Sequence, residues 1–395
     1  MKDIPRRKRS TFLRAFCAAV TVLAVASCAS SRMRDPARDR SSDAEIQRHV
    51  RNGYIVESRH TTASARDSWV IGGESVGVPL MLPSGTESYP LVVYLPGLGE
   101  STESGVAWRR TWAEAGYAVL SVQAASEGSA VWSSGQARLG EFGDIARQHF
   151  SAASLAKRVR LLGDVFTELA RRKSDSSAFG RIDLSRIAVT GFDLGAQTAM
   201  VVAGEHIEGV EPPEWPHAVK AVIALSPYAD FSGMGMQTNF RPVRLPVLGV
   251  TSAEDTDAYG LVTSAMVRRA PFEYMPPGRK YMLVLVGAPH SLLSGRETQP
   301  DESTDGARAG TERGKAAEQR SGGGRGRRGL GGRGSERPSP ASVSPAVNWR
   351  MELADAEGVT LAYLDATVKD DAIAREWLQK DAQRWLGDTA QLLAK

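Results

Sequence analysis

Three positions carry side chains whose types and order along the chain could do chemistry together: Asp193, Asp255 and His290. Asp193 is the centre of Gly191-Phe192-Asp193-Leu194-Gly195. An apolar, β-branched run (Ile187, Ala188, Val189, Thr190) precedes it, and a helix-forming run of Ala, Gln and Met follows. Glycines at Gly191 and Gly195 permit a strained turn with a helix packed closely on a strand, so the middle side chain stands free above the sheet. A carboxylate there can act as a nucleophile or as a base for water. Asp255 follows the apolar run Val247 to Thr251, within Ser252-Ala253-Glu254-Asp255. His290 follows the run Tyr281 to Val286, within Gly287-Ala288-Pro289-His290. An imidazole can take a proton from a nucleophile or its water, and a carboxylate can orient that imidazole. Asp255 is the leading acid, with Glu254 and Asp257 in reserve.

Such a set needs a scaffold that brings strand ends together. Strand signals run over Tyr54 to Ser58 and Val76 to Leu82, the latter ended by Pro83-Ser84-Gly85. Leu91 to Leu95 is a continuous apolar run of the kind buried on both faces of a sheet. A helix with Val106, Trp108 and Trp112 at helical spacing should extend to Ala115, and a strand over Tyr117 to Val122. Ala124 to Phe142 reads as Gly/Ser-rich loop, and Ile145 to Arg172 as one long helix. After the Asp193 turn come apolar runs at Ala218 to Leu225, Val247 to Thr251 and Tyr281 to Val286. Strands alternating with helices predict an α/β fold with a mostly parallel central sheet and helices on both faces. Trp349 to Leu393 returns to helical pattern, with Asp370 or Asp371 as N-cap of the last helix. These helices should dock back on the sheet.

The strand, Gly-x-Asp-x-Gly and helix order resembles the nucleophile elbow of α/β-hydrolases, with Asp193 where Ser is usual. The loop Pro96-Gly97-Leu98-Gly99 follows an early buried strand, where this fold builds half of its oxyanion hole. With Gly116 to Val119 and the string Glu254-Asp255-Thr256-Asp257, it makes the chain similar to the group of platelet-activating-factor acetylhydrolases, chlorophyllases and dienelactone-hydrolase-like esterases. Pro96 stands in place of that group's His. The resemblance covers roughly Leu91 to His290 and the final helices. It implies a hydrolase of small ester-like or electrophilic substrates with Asp193, His290 and Asp255 as the catalytic set. It also implies that the N–H groups of Leu98 and Leu194 stabilise an oxyanion.

The Asp at the centre changes the chemistry. A carboxylate attacking an acyl carbon gives an anhydride; on an sp³ carbon it gives an ester that water can cleave, as in haloalkane dehalogenases and epoxide hydrolases. Those families carry a sizeable cap, for which Pro227 to Leu245 is too short, and Leu194 stands where dehalogenases have Trp. Three readings follow: a hydrolase using Asp193 as nucleophile or base, a catalytically lapsed relative that binds a ligand or partner, and a binding protein acting through its Arg/Gly tract.

Composition narrows the rest. An apolar fraction of 42% and a charged fraction of 24% are ordinary for a globular protein. The formal charge of +4 is concentrated at the N-terminus and in the late Arg/Gly tract, so no nucleic-acid partner is expected. No metal or nucleotide motif appears, and no cofactor is expected. The run Gly322 to Gly326 lacks the preceding strand and following helix of a phosphate loop. Residues 1–27 form a basic and then apolar signal peptide. Leu23-Ala24-Val25-Ala26-Ser27-Cys28 resembles a bacterial lipobox, which implies lipidation of Cys28 and membrane anchoring of an exported protein. Residues 28–52 read as a tether, with a helix from Ser42 (capping box Ser42-x-x-Glu45) as the alternative. The hydrolase-like core is assigned to 53–295, a disordered Arg/Gly-rich insertion to 296–347, and helices completing the domain to 348–395.

If Cys28 carries the anchor, Cys28→Ser moves the protein from the membrane pellet to the soluble fraction. A variant that still pellets with membrane rules the lipid anchor out.

Overall fold

The computed structural model describes residues 36–174, 178–212, 215, 219–230, 235–296 and 345–395. The predicted signal peptide, Cys28 and nearly all of the predicted Arg/Gly-rich insertion lie outside these residues. Residues 46–395 form one compact unit.

The chain lays down strands β1 (Thr62–Ala65), β2 (Ser68–Ile71), β3 (Glu74–Gly77), β4 (Leu80–Pro83), β5 (Tyr89–Leu95) and β6 (Ala118–Ser121). It continues with β7 (Gln123–Ala124), β8 (Ile182–Phe192), β9 (Val219–Leu225), β10 (Val247–Ser252), β11 (Lys280–Leu285) and β12 (Ala390–Ala394). Nine form one sheet in the order β1-β4-β6-β5-β8-β9-β10-β11-β12; β2, β3 and β7 form a small second sheet. From β6 to β11 every neighbouring pair is parallel. The flanking pairs β1–β4, β4–β6 and β11–β12 are antiparallel. The protein is α/β with a mostly parallel sheet.

The apolar run predicted at Leu91 to Leu95 is buried along its whole length because both faces of β5 are covered. Leu91, Val93 and Leu95 join one apolar cluster with Leu162, Phe166 and Met200; Val92 and Tyr94 join another with Trp108, Trp112 and Val359. The helices Ala152–Lys173 and Leu194–Ala203 supply the first layer, and Val106–Glu114 and Pro345–Val368 the second. The segment after the insertion therefore docks on the sheet as predicted.

Several elements differ from the sequence reading. Tyr54 to Ser58 is not a strand. It is a segment whose alternating side chains lean on the C-terminal helices, with the Tyr54 hydroxyl donating to Asp365 (2.8 Å). Val76 to Leu82 divides at Val78-Pro79 between β3 and β4, which belong to different sheets. The long helix of Ile145 to Arg172 breaks at Ser151, whose hydroxyl accepts the Ser154 N–H (3.3 Å) and caps Ala152–Lys173. The loop from Ala124 to Phe142 is wound into short turns and the helix Gly135–Arg138. The N-terminal helix starts at Pro36, not Ser42. Asp371, not Asp370, is a cap: its carboxylate accepts the Ile373 and Ala374 N–H groups (2.7 and 3.1 Å). The helix it caps, Ala372–Lys380, is the penultimate one. The chain then ends in β12, an edge strand whose Leu392 and Leu393 had read as helix. Among the described residues no helix is long and apolar enough to cross a membrane.

Trp385 keys the C-terminal helices together. Its indole stacks on His49 (4.5 Å between centroids), donates to the His49 carbonyl (2.9 Å) and tilts against Trp377 (5.5 Å). A Cβ on Gly358, inside the helix Pro345–Val368, would come within 2.8 Å of that ring. Alanine normally adds about 1 kcal/mol over glycine in a helix, whereas overpacking costs about 1–3 kcal/mol. Gly358→Ala is therefore expected to destabilise the protein by about 1 kcal/mol in urea unfolding. In a Trp385→Leu background the sign should reverse; a gain in the wild-type background would show that the ring moves freely.

Candidate active site

Asp193 occupies a turn that few residues tolerate. Strand β8 runs straight into it, and the helix Leu194–Ala203 starts at the next residue. A Cβ on Gly191 would lie 2.1 Å from the Gly195 backbone, and one on Gly195 would lie 2.0 Å from the Leu95 carbonyl oxygen. Helix and strands thus touch backbone to backbone, which only glycine allows. The turn forces Asp193 to φ 51°, ψ −106°, a conformation that costs a non-glycine residue about 1–3 kcal/mol. Its N–H donates to the Leu225 carbonyl (3.0 Å), and its carbonyl accepts the Gln197 N–H (3.1 Å). Aspartate is a good N-cap by type, yet this carboxylate makes no capping bond. It is 4% exposed and faces the imidazole of His290, with Oδ1 3.9 Å from Nε2.

His290 opens a short helix, His290–Leu293, after β11. The loop before it is fixed by the Gly287 N–H donating to Glu352 (2.8 Å) and by the Ser252 hydroxyl donating to the Ala288 carbonyl. Beneath it, Trp108 donates to the Leu293 carbonyl (3.0 Å). The imidazole Nδ1 lies 2.7 Å from Asp255 Oδ1, and the ring rests on Phe192 (5.0 Å). Asp255, at the end of β10, is fully buried and also accepts hydroxyl hydrogens from Ser226 (2.6 Å) and Thr251 (2.7 Å). Ser226 closes β9 with φ 56° and also lies 2.9 Å from His290 Nδ1.

A buried guanidinium completes the set. Arg268, from the turn Ala265–Arg269, is 0% exposed. It donates to the Ser226 carbonyl (3.1 Å) and stands 3.7 Å from Asp193 Oδ1 and 3.6 Å from Asp255 Oδ1. Burial pushes the Asp193 carboxyl above the usual aspartate range, against the pull of His290 and Arg268. Burial alone would raise Asp255 too, but the His290 hydrogen bond, Arg268 and the Ser226 hydroxyl hold it below that range. Burial would depress His290; the Asp255 hydrogen bond and the charges of Asp193 and Asp255 outweigh it and raise the imidazole.

The site opens into a cleft of about 910 Å³ built by the segments that follow β5, β7, β8, β10 and β11. In parallel sheets the carboxyl ends of strands are where ligands bind. Trp132 and Tyr259 stack 5.1 Å apart on one wall. Glu100 also lines the cleft; its carboxylate accepts the Gly97 N–H (3.0 Å) and the Ser104 hydroxyl (3.1 Å), and burial raises it above the usual glutamate range. Leu98 and Leu194 pack in a single apolar cluster with Val131 and Phe150. Neither of their N–H groups has a hydrogen-bond partner among the described residues.

The structure thus brings together Asp193, Asp255 and His290; Leu98 lines the same cleft, and Leu194 is the residue after Asp193. Of the reserve acids, Glu254 is exposed at the cleft rim. Asp257 spends its carboxylate on the Tyr259, Leu261 and Val262 N–H groups. Among the described residues no cluster of His, Cys, Asp and Glu could hold a metal ion. Sequence reasoning missed Arg268, Ser226, Thr251, Glu100 and Glu352. Ser226-Pro227 directly ends an apolar run, a signal that its hydroxyl sits at a strand's carboxyl end; Arg268 beside Arg269 carries no such mark. No protein-family model matches the chain, and no curated protein matches it.

Thr251→Val keeps the shape of β10 and removes one hydroxyl from Asp255. A lost hydrogen bond to a buried charge costs about 1.5–3 kcal/mol. Asp255 is depressed in the folded state, so its stabilisation is present above the ordinary value of 3.8 and is lost as pH falls through the lower folded value. Denaturation at neutral pH should show the full cost, shrinking as pH is lowered below 3.8. A cost independent of pH would mean that the hydroxyl serves the strand and not the carboxylate.

Proposed function

We propose that the chain is an exported, lipid-anchored protein of α/β-hydrolase type that hydrolyses small ester-like or electrophilic substrates through Asp193, His290 and Asp255. The observation that carries this is the strained backbone of Asp193, which aims an uncapped carboxylate at His290 Nε2 while Asp255 holds Nδ1. Strain of this size persists where the surroundings enforce it, and it clusters at working sites. Support also comes from chain order: Asp193, Asp255 and His290 follow β8, β10 and β11, the order of nucleophile, acid and base in this superfamily. The glycine-mediated contact at Gly191 and Gly195 supports the reading as a nucleophile elbow.

In this reading Asp193 attacks an sp³ electrophilic carbon, and the leaving group departs with its bonding electron pair. The product is an ester on the Asp193 carboxyl. His290, neutral and oriented by Asp255, takes a proton from water. The hydroxide adds to the Asp193 carbonyl carbon, and the alcohol leaves with the proton that His290 returns. The Leu98 and Leu194 N–H groups, which have no hydrogen-bond partner among the described residues, would be the donors to the oxyanion of that second step. A second reading, binding of a ligand in the same cleft without turnover, draws on the Nε2–Oδ1 separation, which exceeds a hydrogen bond, and on Pro96 in place of His.

A panel of acyl esters, epoxides and haloalkanes with wild type and Asp193→Asn tests the proposal. Turnover should depend on Asp193, and mass spectrometry of quenched protein should find the substrate carbon esterified to it. Because the working imidazole is neutral and its pKa is raised, the rate should fall as pH drops through a value above 6.5. Asp193→Ser should hydrolyse short activated esters in a His290-dependent manner, since each oxyanion donor is worth about 3–4 kcal/mol when placed. No turnover by wild type, together with no esterase activity in folded Asp193→Ser, leaves the binding reading.

A further inference from the structure

Arg268 is fully buried, so it cannot touch a substrate, yet its guanidinium reaches all three members of the proposed catalytic set. Nη1 is 3.7 Å from Asp193 Oδ1, Nε 3.6 Å from Asp255 Oδ1, and Nη2 3.5 Å from His290 Nδ1. Its hydrogen bonds to the Ser226 and Pro227 carbonyls (3.1 and 3.4 Å) lock it there. We propose that Arg268 is a positioning residue matched to Asp193: it supplies the fixed positive charge that lets a carboxylate replace a neutral nucleophile without the imidazole becoming protonated.

The physical reason lies in the number of charges. A site with a neutral residue at the turn sets one carboxylate against the imidazole. Here there are two, on opposite nitrogens, Asp255 at Nδ1 and Asp193 at Nε2. Two carboxylates flanking an imidazole favour the imidazolium, which cannot take a proton from water. A guanidinium within 4 Å of all three groups opposes that protonation and favours the ionised form of Asp193. The other charged or titratable groups near the pair are few. Asp257 acts on Asp193 from the loop after β10, and Glu100 and Arg158 act on it from the β5 loop and the helix Ala152–Lys173. The Tyr228 phenol, just past β9, lies within reach of both Asp193 and Arg268.

The inference rests on the proposed hydrolysis for its purpose, but its test needs no turnover. The imidazole of His290 can be titrated by NMR in ¹⁵N-histidine-labelled protein, with its signal assigned by its loss in His290→Gln. Arg268→Gln should raise the His290 midpoint by about one pH unit or more, because charges within about 4–6 Å move a pKa by about 1–3 units. Arg268→Lys, which keeps the charge, should stay near wild type. In an Asp193→Ser background the same Arg268→Gln change should produce a clearly smaller rise. A midpoint that is unmoved or lower in folded Arg268→Gln overturns the proposal. An equal rise with Asp193 and with Ser at that position also overturns it, since Arg268 would then serve Asp255 alone. If Arg268→Gln does not fold, Asp193→Asn decides: with Arg268 intact it should lower the midpoint by a similar amount, and no change sinks the matched pair. No turnover by wild type together with no esterase activity in Asp193→Ser would remove the hydrolase reading and leave these titration outcomes standing on their own.

Discussion

The contact between backbones at Gly191, Gly195 and Leu95 is the constraint on which the site depends. It brings the helix Leu194–Ala203 against β5 and β8 without an intervening side chain. Once that distance is fixed, the residue between has one way to turn, and Asp193 takes it at positive φ. Two consequences follow from geometry alone. The side chain at a helix N-terminus normally folds back to cap the first turn, and here it cannot. The first N–H of the helix, on Leu194, is likewise left without an acceptor. A carboxylate that neither caps nor accepts, beside unspent N–H groups, is chemically available. The helix dipole favours its charged form, offsetting part of the burial that pushes its pKa upward.

The same constraint creates an electrostatic problem. Asp193 and Asp255 are both buried, and both face one imidazole. Burying one charge without a partner costs several kcal/mol, and removing a partner from an existing buried pair costs about 3–5 kcal/mol. Arg268 is placed where a single guanidinium serves both carboxylates. Two charge assignments then give the four-group set no net charge: Asp193 ionised with His290 protonated, or Asp193 protonated with His290 neutral. The form with both in their reactive states, carboxylate and neutral imidazole, carries one net negative charge. The 3.9 Å between Oδ1 and Nε2, beyond a direct hydrogen bond, keeps the two from sharing a proton.

The parts of this arrangement set by local chain chemistry were readable in the sequence. The strand, glycine-framed turn and helix around Asp193 were legible because each step uses a local rule: β-branched run, positive-φ turn, helix formers. Asp255 and His290 were legible from their place after apolar runs. The parts set by distant partners were not. Arg268 looks like any arginine beside Arg269, and only the tertiary fold shows that it is sealed between two carboxylates. Leu392 and Leu393 fit a helix as well as an edge strand, and pairing to β11 decides the matter. The break at Ser151 was hidden for a different reason. Helical periodicity continues on both sides of it, and a serine that caps the next helix looks like a tolerated helical serine. Tyr54 to Ser58 alternates as a strand does, but the alternation comes from lying on the helices that carry Asp365 and Trp377.

The charge set also bears on which electrophile the cleft suits. Attack of a carboxylate on an acyl carbon yields an anhydride, which returns readily to reactants when an alkoxide is the leaving group. Attack on an sp³ carbon yields an ester, whose cleavage needs an activated water on the His290 side of Asp193. Nε2 is the one imidazole nitrogen still open to the cleft, since Nδ1 is spent on Asp255 and Ser226. In the proposed hydrolysis the unspent Leu98 and Leu194 N–H groups would act only in the second step, where the carbonyl of the esterified Asp193 would become an oxyanion. For that, one Asp193 oxygen must turn toward the Leu98–Leu194 side while the other carries the substrate carbon. In the free protein neither oxygen is held by a hydrogen bond, so the carboxylate can rotate between these roles. A serine lacks the second oxygen. The lack of any hydrogen bond to the Asp193 carboxylate, which has only the longer ion pairs to Arg268 and His290, is for this reason more telling than the identity of the residue: a buried aspartate kept for stability uses its acceptors in hydrogen bonds.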